Sequence, residues 1–139
     1  MATVIRPELS RKKKYWIDKH RYYELKHFCL QYPVWKELYK LYSQPQISSS
    51  SFDRQPSSNT PSDQTANIAL LKAQCSEKIG MIEEAAKSTD EYLYTYILKA
   101  ITEGLSYTYM KTRMDIPCGK DTYYDRYRRF FWILDKIRE

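Results

Sequence analysis

Glycine is scarce, with three residues in 139. Architectures with many tight turns rely on glycine wherever φ is positive, so a β-rich fold is disfavoured and helices are expected. Cysteine is sparse and odd in number: Cys29, Cys75 and Cys118 stand alone, with no CxxC pair and no zinc spacing towards His20 or His27. They read as reduced structural thiols, and no metal site or cofactor is expected. No apolar run approaches the roughly 18 residues that a membrane span needs, and the first residues hold no apolar signal core. No membrane partner is expected. A glycine-rich phosphate loop is missing. The two histidines, seven apart in one helical segment, have no nucleophile and acid near them. Tyr124 among Arg126, Arg128 and Arg129 lacks the supporting histidine of a tyrosine recombinase. No catalytic residue is therefore assigned, and an enzyme is not expected.

What is abundant is tyrosine and positive charge. Fourteen tyrosines supply much of the apolar content. Each carries a hydroxyl that wants a partner when buried, so the core is expected to be thin and helped by self-association. The net charge of +6 favours an anionic partner. It is unevenly spread. Residues 1–42 hold ten Lys/Arg against four Asp/Glu, residues 63–104 four against seven, and residues 105–139 eight against five. The acidic middle is a poor anion-binding surface, and the two basic ends are better ones.

Taken in order, the chain predicts an all-α protein: an N-terminal helical hairpin (1–42), a flexible Ser/Pro linker (43–62), and a C-terminal helical bundle (63–139) that ends in a helix-turn-helix at about 105–138. Ser10 is read as the N-cap of a helix reaching about Tyr32. Arg11, Lys12, Lys13 and Lys14 open it, against the helix macrodipole, either as phosphate contacts or as a solubilising end. Tyr32 before Pro33 is expected to be extended, and Trp35, Leu38, Tyr39 and Tyr42 recur at helical spacing. The stretch from Ser43 to Ser62 cannot bury enough apolar surface to offset its ordering. A helix from Asp63 or Thr65 to Lys87 carries the seam Ile68, Leu71, Cys75, Ile79 and Ile82, so a homodimer through helix 65–87 and packing on Trp16 and Trp35 both remain open. Gly80 inside it costs about 1 kcal/mol relative to alanine, which points to a close helix contact or a kink. Ser88 or Thr89 is expected to cap the next helix, with Tyr92, Leu93, Tyr96, Ile97, Ala100 and Ile101 on its apolar side and Gly104 as a left-handed C-cap.

The last third makes the most specific statement. Ser106 is an N-cap, Tyr107, Met110 and Met114 face inward, Asp115 to Gly119 turn the chain, and Ile116 is the apolar residue buried in the turn. Tyr123, Tyr127, Phe130, Leu134 and Ile137 then form a buried stripe. Lys120, Asp121, Tyr124, Asp125 and Arg128 remain as base readers. Ser106, Lys111, Arg126 and Arg129, with the Arg11–Lys14 cluster, remain as phosphate contacts. Arg128 could serve either role, and Asp125 could accept from cytosine or pair with Arg129 at i+4.

The run Glu103-Gly104-Leu105-Ser106-Tyr107, followed by Met110, Met114 and Ile116, resembles the helix-turn-helix of sigma-70 region 4. The run from Thr122 to Phe131 resembles phage late-gene transcriptional regulators of the RinA/ArpU type. The similarity covers about Glu103 to Leu134, and the turn from Ile116 to Thr122 is about two residues longer than the sigma pattern. The resemblance implies a protein of a bacteriophage or integrated prophage of a Gram-positive-type host, and so the cytoplasm of a bacterial cell; the expected partner is double-stranded DNA, with RNA polymerase as a further candidate. A DNA-packaging subunit of the small-terminase kind and a helical protein-interaction module are the competing classes.

Overall fold

The computed structural model describes residues 14–45 and 61–139, and among these residues the chain is all-helical. The helices are α1 (Lys19–Leu30), α2 (Tyr32–Tyr42), α3 (Pro61–Thr89), α4 (Tyr94–Glu103), α5 (Tyr107–Arg113) and α6 (Lys120–Ile137). None is long and apolar enough to cross a membrane.

The first helix starts later than its sequence suggests. Asp18, not Ser10, is the N-cap of α1, and its carboxylate accepts from the His20 N–H at 3.0 Å. The residues just before it are not helical because their side chains are used in the core: Tyr15 and Ile17 are both buried. A tertiary contact overrides helix propensity here. Tyr32 also departs from expectation, since it is the first residue of α2. One residue, Gln31, separates α1 from α2, and its N–H bonds back to Phe28 and Cys29. Pro33 then falls in the first turn of α2, where its missing N–H costs nothing.

α3 is the spine. α2 runs antiparallel along it, as three contacts show in order: the Tyr32 hydroxyl donates to Glu83 at 2.5 Å, the Lys78 ammonium lies over Trp35, and Lys72 lies over Tyr39. Within the expected seam, Cys75, Ile79 and Ile82 are buried in the chain's own core, whereas Leu71 is exposed. Gly80 marks no close contact among the described residues. α3 continues through it, and nothing lies within 4 Å of where a Cβ would sit.

The corner after α3 is capped differently from the reading above. Thr89 is the last residue of α3 and its buried hydroxyl donates to the Ala85 carbonyl. The N-cap position of α4 is Leu93, which offers no side-chain cap, and Asp90 closes the turn before it, accepting from the N–H groups of Tyr92 and Leu93, both at 2.9 Å. Tyr92 points to solvent rather than into the apolar side.

α6 packs on α3, α1 and α4. Tyr123, Phe130 and Leu134 of its predicted stripe are buried, with Tyr127 and Ile137 partly so, and Phe131 joins them. One hydrophobic cluster runs from Ile17, Tyr22 and Leu25 through Ile82 and Ile97 to Phe131 and Leu134. Residues 14–42 therefore share a core with the C-terminal helices. Each fully buried large apolar side chain contributes about 1.5–3 kcal/mol. Most of the expected linker, 46–60, lies outside the described residues.

Candidate nucleic-acid interface

The approach to α5 is set by two local devices. Gly104 takes φ +68°, and its N–H and that of Leu105 both return to the Ala100 carbonyl, closing α4. Ser106 is extended and its hydroxyl oxygen accepts from the Tyr109 N–H at 3.1 Å, opening α5. The short α5 then buries Met110 completely.

The turn is built around Ile116. Its side chain is fully buried, and its N–H reaches the Met110 carbonyl at 3.1 Å. The reversal depends on Asp115, the residue other than glycine found at positive φ (54°) among the described residues. Aspartate visits that region more readily than most residues. Tyr107 ties the two ends of the motif: its hydroxyl donates to the Cys118 carbonyl at 3.0 Å, and its ring meets Tyr123 at 5.2 Å. Gly119 precedes α6 without a side-chain cap. The first turn of α6 thus emerges from a braced loop, with Lys120, Asp121 and Thr122 exposed.

The proposed base readers divide into two groups. Lys120 and Asp121 are exposed at the open end, with the Lys120 ammonium 5.9 Å from the Tyr124 ring. Tyr124 is partly buried against Tyr107 and Tyr123. Asp125 pairs with Arg126, not with Arg129 as the i+4 spacing suggests. Arg128 lies farther along the helix, partly exposed, with no ion pair among the described residues.

The proposed phosphate contacts are similarly divided. Lys111 is exposed and its ammonium reaches the Ile116 carbonyl at 3.4 Å. Arg113, exposed on the last turn of α5, is a further cation that the sequence reading did not single out. The Ser106 oxygen is occupied by the cap. Arg126 is engaged within the chain, bonding Asp90 at 2.8 Å as well as Asp125. Its guanidinium pKa is raised, chiefly by the Asp90 bond. Burial alone would raise the Asp90 carboxyl, but Arg126 and the Tyr92 and Leu93 N–H groups together hold it below its ordinary value. Arg129 points at the α3–α4 corner. It reaches the Tyr15 hydroxyl and the Ser88 carbonyl, each at 3.5 Å, and its Nε is buried with no acceptor among the described residues. Arg11, Lys12 and Lys13 lie outside the described residues, while Lys14 is exposed beside the Tyr15 ring.

The arginines at 126 and 129 therefore brace α6 against the end of α3, and the open cations near the turn are Lys111, Arg113 and Lys120. Sequence spacing could not separate bracing from open arginines, because their partners, Asp90, Ser88 and Tyr15, are distant in the chain. Cys118 in the turn is partly buried, and burial raises its thiol pKa.

No protein-family model, curated protein or solved structure matches the chain.

Proposed function

We propose that the chain is a sequence-specific DNA-binding transcriptional regulator of the phage or prophage kind, which enters the major groove with the N-terminal end of α6. The observation that carries this reading is the geometry of that end. A capped α5, a buried Ile116 and the Tyr107–Cys118 bond brace the loop, while Lys120, Asp121 and Thr122 are exposed. Residues in the first turns of a recognition helix meet base edges, and neighbouring cations meet phosphate. Lys120 suits guanine and Asp121 suits the cytosine amino group. Lys111 and Arg113 flank them on α5.

The chain binds as a homodimer in this reading, since half-sites in duplex DNA favour two-fold partners. The contact is proposed through the exposed apolar residues of α2 and the N-terminal half of α3, not through the Cys75–Ile82 part of the expected seam, which is used inside the chain.

Selection of bound sequences from random duplexes by the purified chain tests the function. One enriched motif is expected, and Lys120→Ala with Asp121→Ala should flatten that preference while the helical content stays unchanged. Absence of any enriched motif at low salt would sink the reading. Solution mass separates the packaging class, since a large ring in place of a dimer belongs to that alternative.

A further inference from the structure

Helical spacing places Asp121, Asp125, Arg128, Trp132 and Lys136 along the side of α6 that faces away from the buried stripe. Asp121 and Asp125 lie in the first half of the helix, Arg128 and Lys136 in the second, with Asp135 beside them. The nearby acids are also spoken for: Asp125 pairs with Arg126, and Asp135 bonds Arg21 at 2.5 Å. Arg128, Lys136 and Lys14 make no ion pair among the described residues, and neither does Glu139 beyond the helix end.

Two of these cations are held by rings. The Lys136 ammonium sits 4.2 Å from the Trp132 ring centre, Trp132 meets Tyr15 at 5.4 Å, and the Lys14 ammonium lies 5.4 Å from the Tyr15 ring. The result is a ladder of cation, ring, ring and cation that joins the start of the described chain to the last turns of α6. Rings fix the position of an ammonium without neutralising it, and they support the methylene stems. Lysines held in this way act as fixed point charges, which suits phosphate better than base edges.

We infer that Lys14 and Lys136, carried on the Tyr15–Trp132 pair, together with Arg128 one turn before Trp132 on the same side of α6, form a second DNA contact that holds the phosphate backbone flanking the base-reading turn. This rests on the DNA-binding function proposed above, and it moves Arg128 from base reader to phosphate contact. Asp121 and Lys136 are fifteen residues apart on this side of α6, about 22 Å along its axis at 1.5 Å per residue. At 3.4 Å per base pair, the two contacts lie about seven base pairs apart when α6 follows the duplex.

The test uses the full chain and two duplexes, one carrying the selected motif and one unrelated. Affinity is measured across salt concentrations for wild type, Arg128→Gln with Lys136→Gln, and Lys120→Gln, together with hydroxyl-radical footprints. The Arg128/Lys136 variant should weaken both duplexes by a similar factor and leave their ratio unchanged. Its slope of log affinity against log salt should be shallower by about two, near 0.9 for each lost phosphate contact. Its footprint should lose a protected patch distal to the motif. Arg128→Lys with Lys136→Arg should retain the slope. An unchanged slope and footprint in the glutamine variant, with Lys120→Gln still losing preference, overturns the inference and leaves the DNA-reading function standing. Wild type that binds both duplexes equally, with a slope that still falls in the glutamine variant, overturns the function and leaves the phosphate contact standing. No duplex binding at any salt, or binding of an acidic peptide in its place, overturns both.

Discussion

Arg126 Nε donates to Asp90 Oδ2 at 2.8 Å, and this bond ties the middle of α6 to the corner between α3 and α4. Asp90 serves three partners at once, the guanidinium and the N–H groups of Tyr92 and Leu93. Its carboxyl is held below its ordinary value of 3.8. A carboxyl lowered on folding stabilises the native state above its unfolded value, and the stabilisation disappears as pH falls through the folded value. The window is therefore acidic, at and below about pH 4. Asp90→Asn keeps an oxygen for the backbone but loses the charge. It should cost about 1–2 kcal/mol at neutral pH, and the variant should lose part of the wild type's acid sensitivity. Urea unfolding at pH 7 and at pH 3.5 checks both. Equal losses for wild type and variant between the two pH values would rule out Asp90 as the group responsible.

The elements read best from sequence are those whose causes are local. Gly104, Ser106 and Ile116 fall where expected because a C-cap, an N-cap and a buried turn residue each depend on neighbours within a few positions. The stripe Tyr123, Phe130 and Leu134 is legible for the same reason. The misses share the opposite cause. Ser88 and Thr89 look like caps, but α4 starts at Tyr94 with no side-chain cap, and Asp90 closes the turn before it while it also meets Arg126, 36 residues away. α1 starts at Lys19 because Tyr15 is drawn onto Trp132, a contact that no local pattern reveals. Arg126 and Arg128 look alike in the sequence, and their separation into bracing and open roles comes from packing alone.

The two glycines Gly104 and Gly80 should respond to alanine with opposite signs. At Gly104 an added Cβ would meet Leu30 at 3.6 Å, an ordinary contact, so space is not the obstacle. The obstacle is φ +68°, which should make Gly104→Ala destabilising by about 1 kcal/mol. Gly104→Asn should cost less, because asparagine tolerates this region. Gly80 lies inside α3 in open space, so Gly80→Ala should stabilise by about 0.5–1 kcal/mol. Denaturation midpoints at constant m-value give the comparison. A destabilising Gly80→Ala would mean that α3 has a partner there in solution.

Tyr22 and Tyr127 share a hydroxyl–hydroxyl bond of 2.8 Å between α1 and α6. Burial pushes the Tyr127 hydroxyl well above its ordinary value, so it stays neutral and can share its proton in this bond. Tyr127→Phe removes one partner from a part-buried site and should cost about 1–2 kcal/mol. Tyr22→Phe combined with Tyr127→Phe removes both, so the double variant should lose less than the sum of the singles. A coupling energy of about 0.5 kcal/mol or more from the four-protein cycle is expected. Strict additivity would show that the two hydroxyls contribute nothing through each other.

Self-association should map to one side of the α2–α3 pair. Val34, Leu38 and Leu41 recur at i, i+4 and i+7 on α2. Helical phase puts them, with Leu71, on the side opposite the open groove lined by Lys36, Lys40, Ser76 and Glu83. Val34 is 56% exposed, Leu41 45% and Leu71 42%, with Leu70 beside them at 57%. Farther along α3, Ile82 and Ala85 are buried, and the chain's own α6 packs on this helix. The apolar face thus continues a packed core past the point where partners among the described residues end. A second α2–α3 pair laid on it would complete a four-helix arrangement. Val34→Glu with Leu71→Glu should weaken dimerisation at least tenfold in sedimentation equilibrium, since two charges would be buried without partners. The monomer should keep its helical signal and its thermal midpoint, because neither residue is in the core. A wild-type chain that stays monomeric at high concentration, or a double variant that dimerises as before, would exclude this face as the contact.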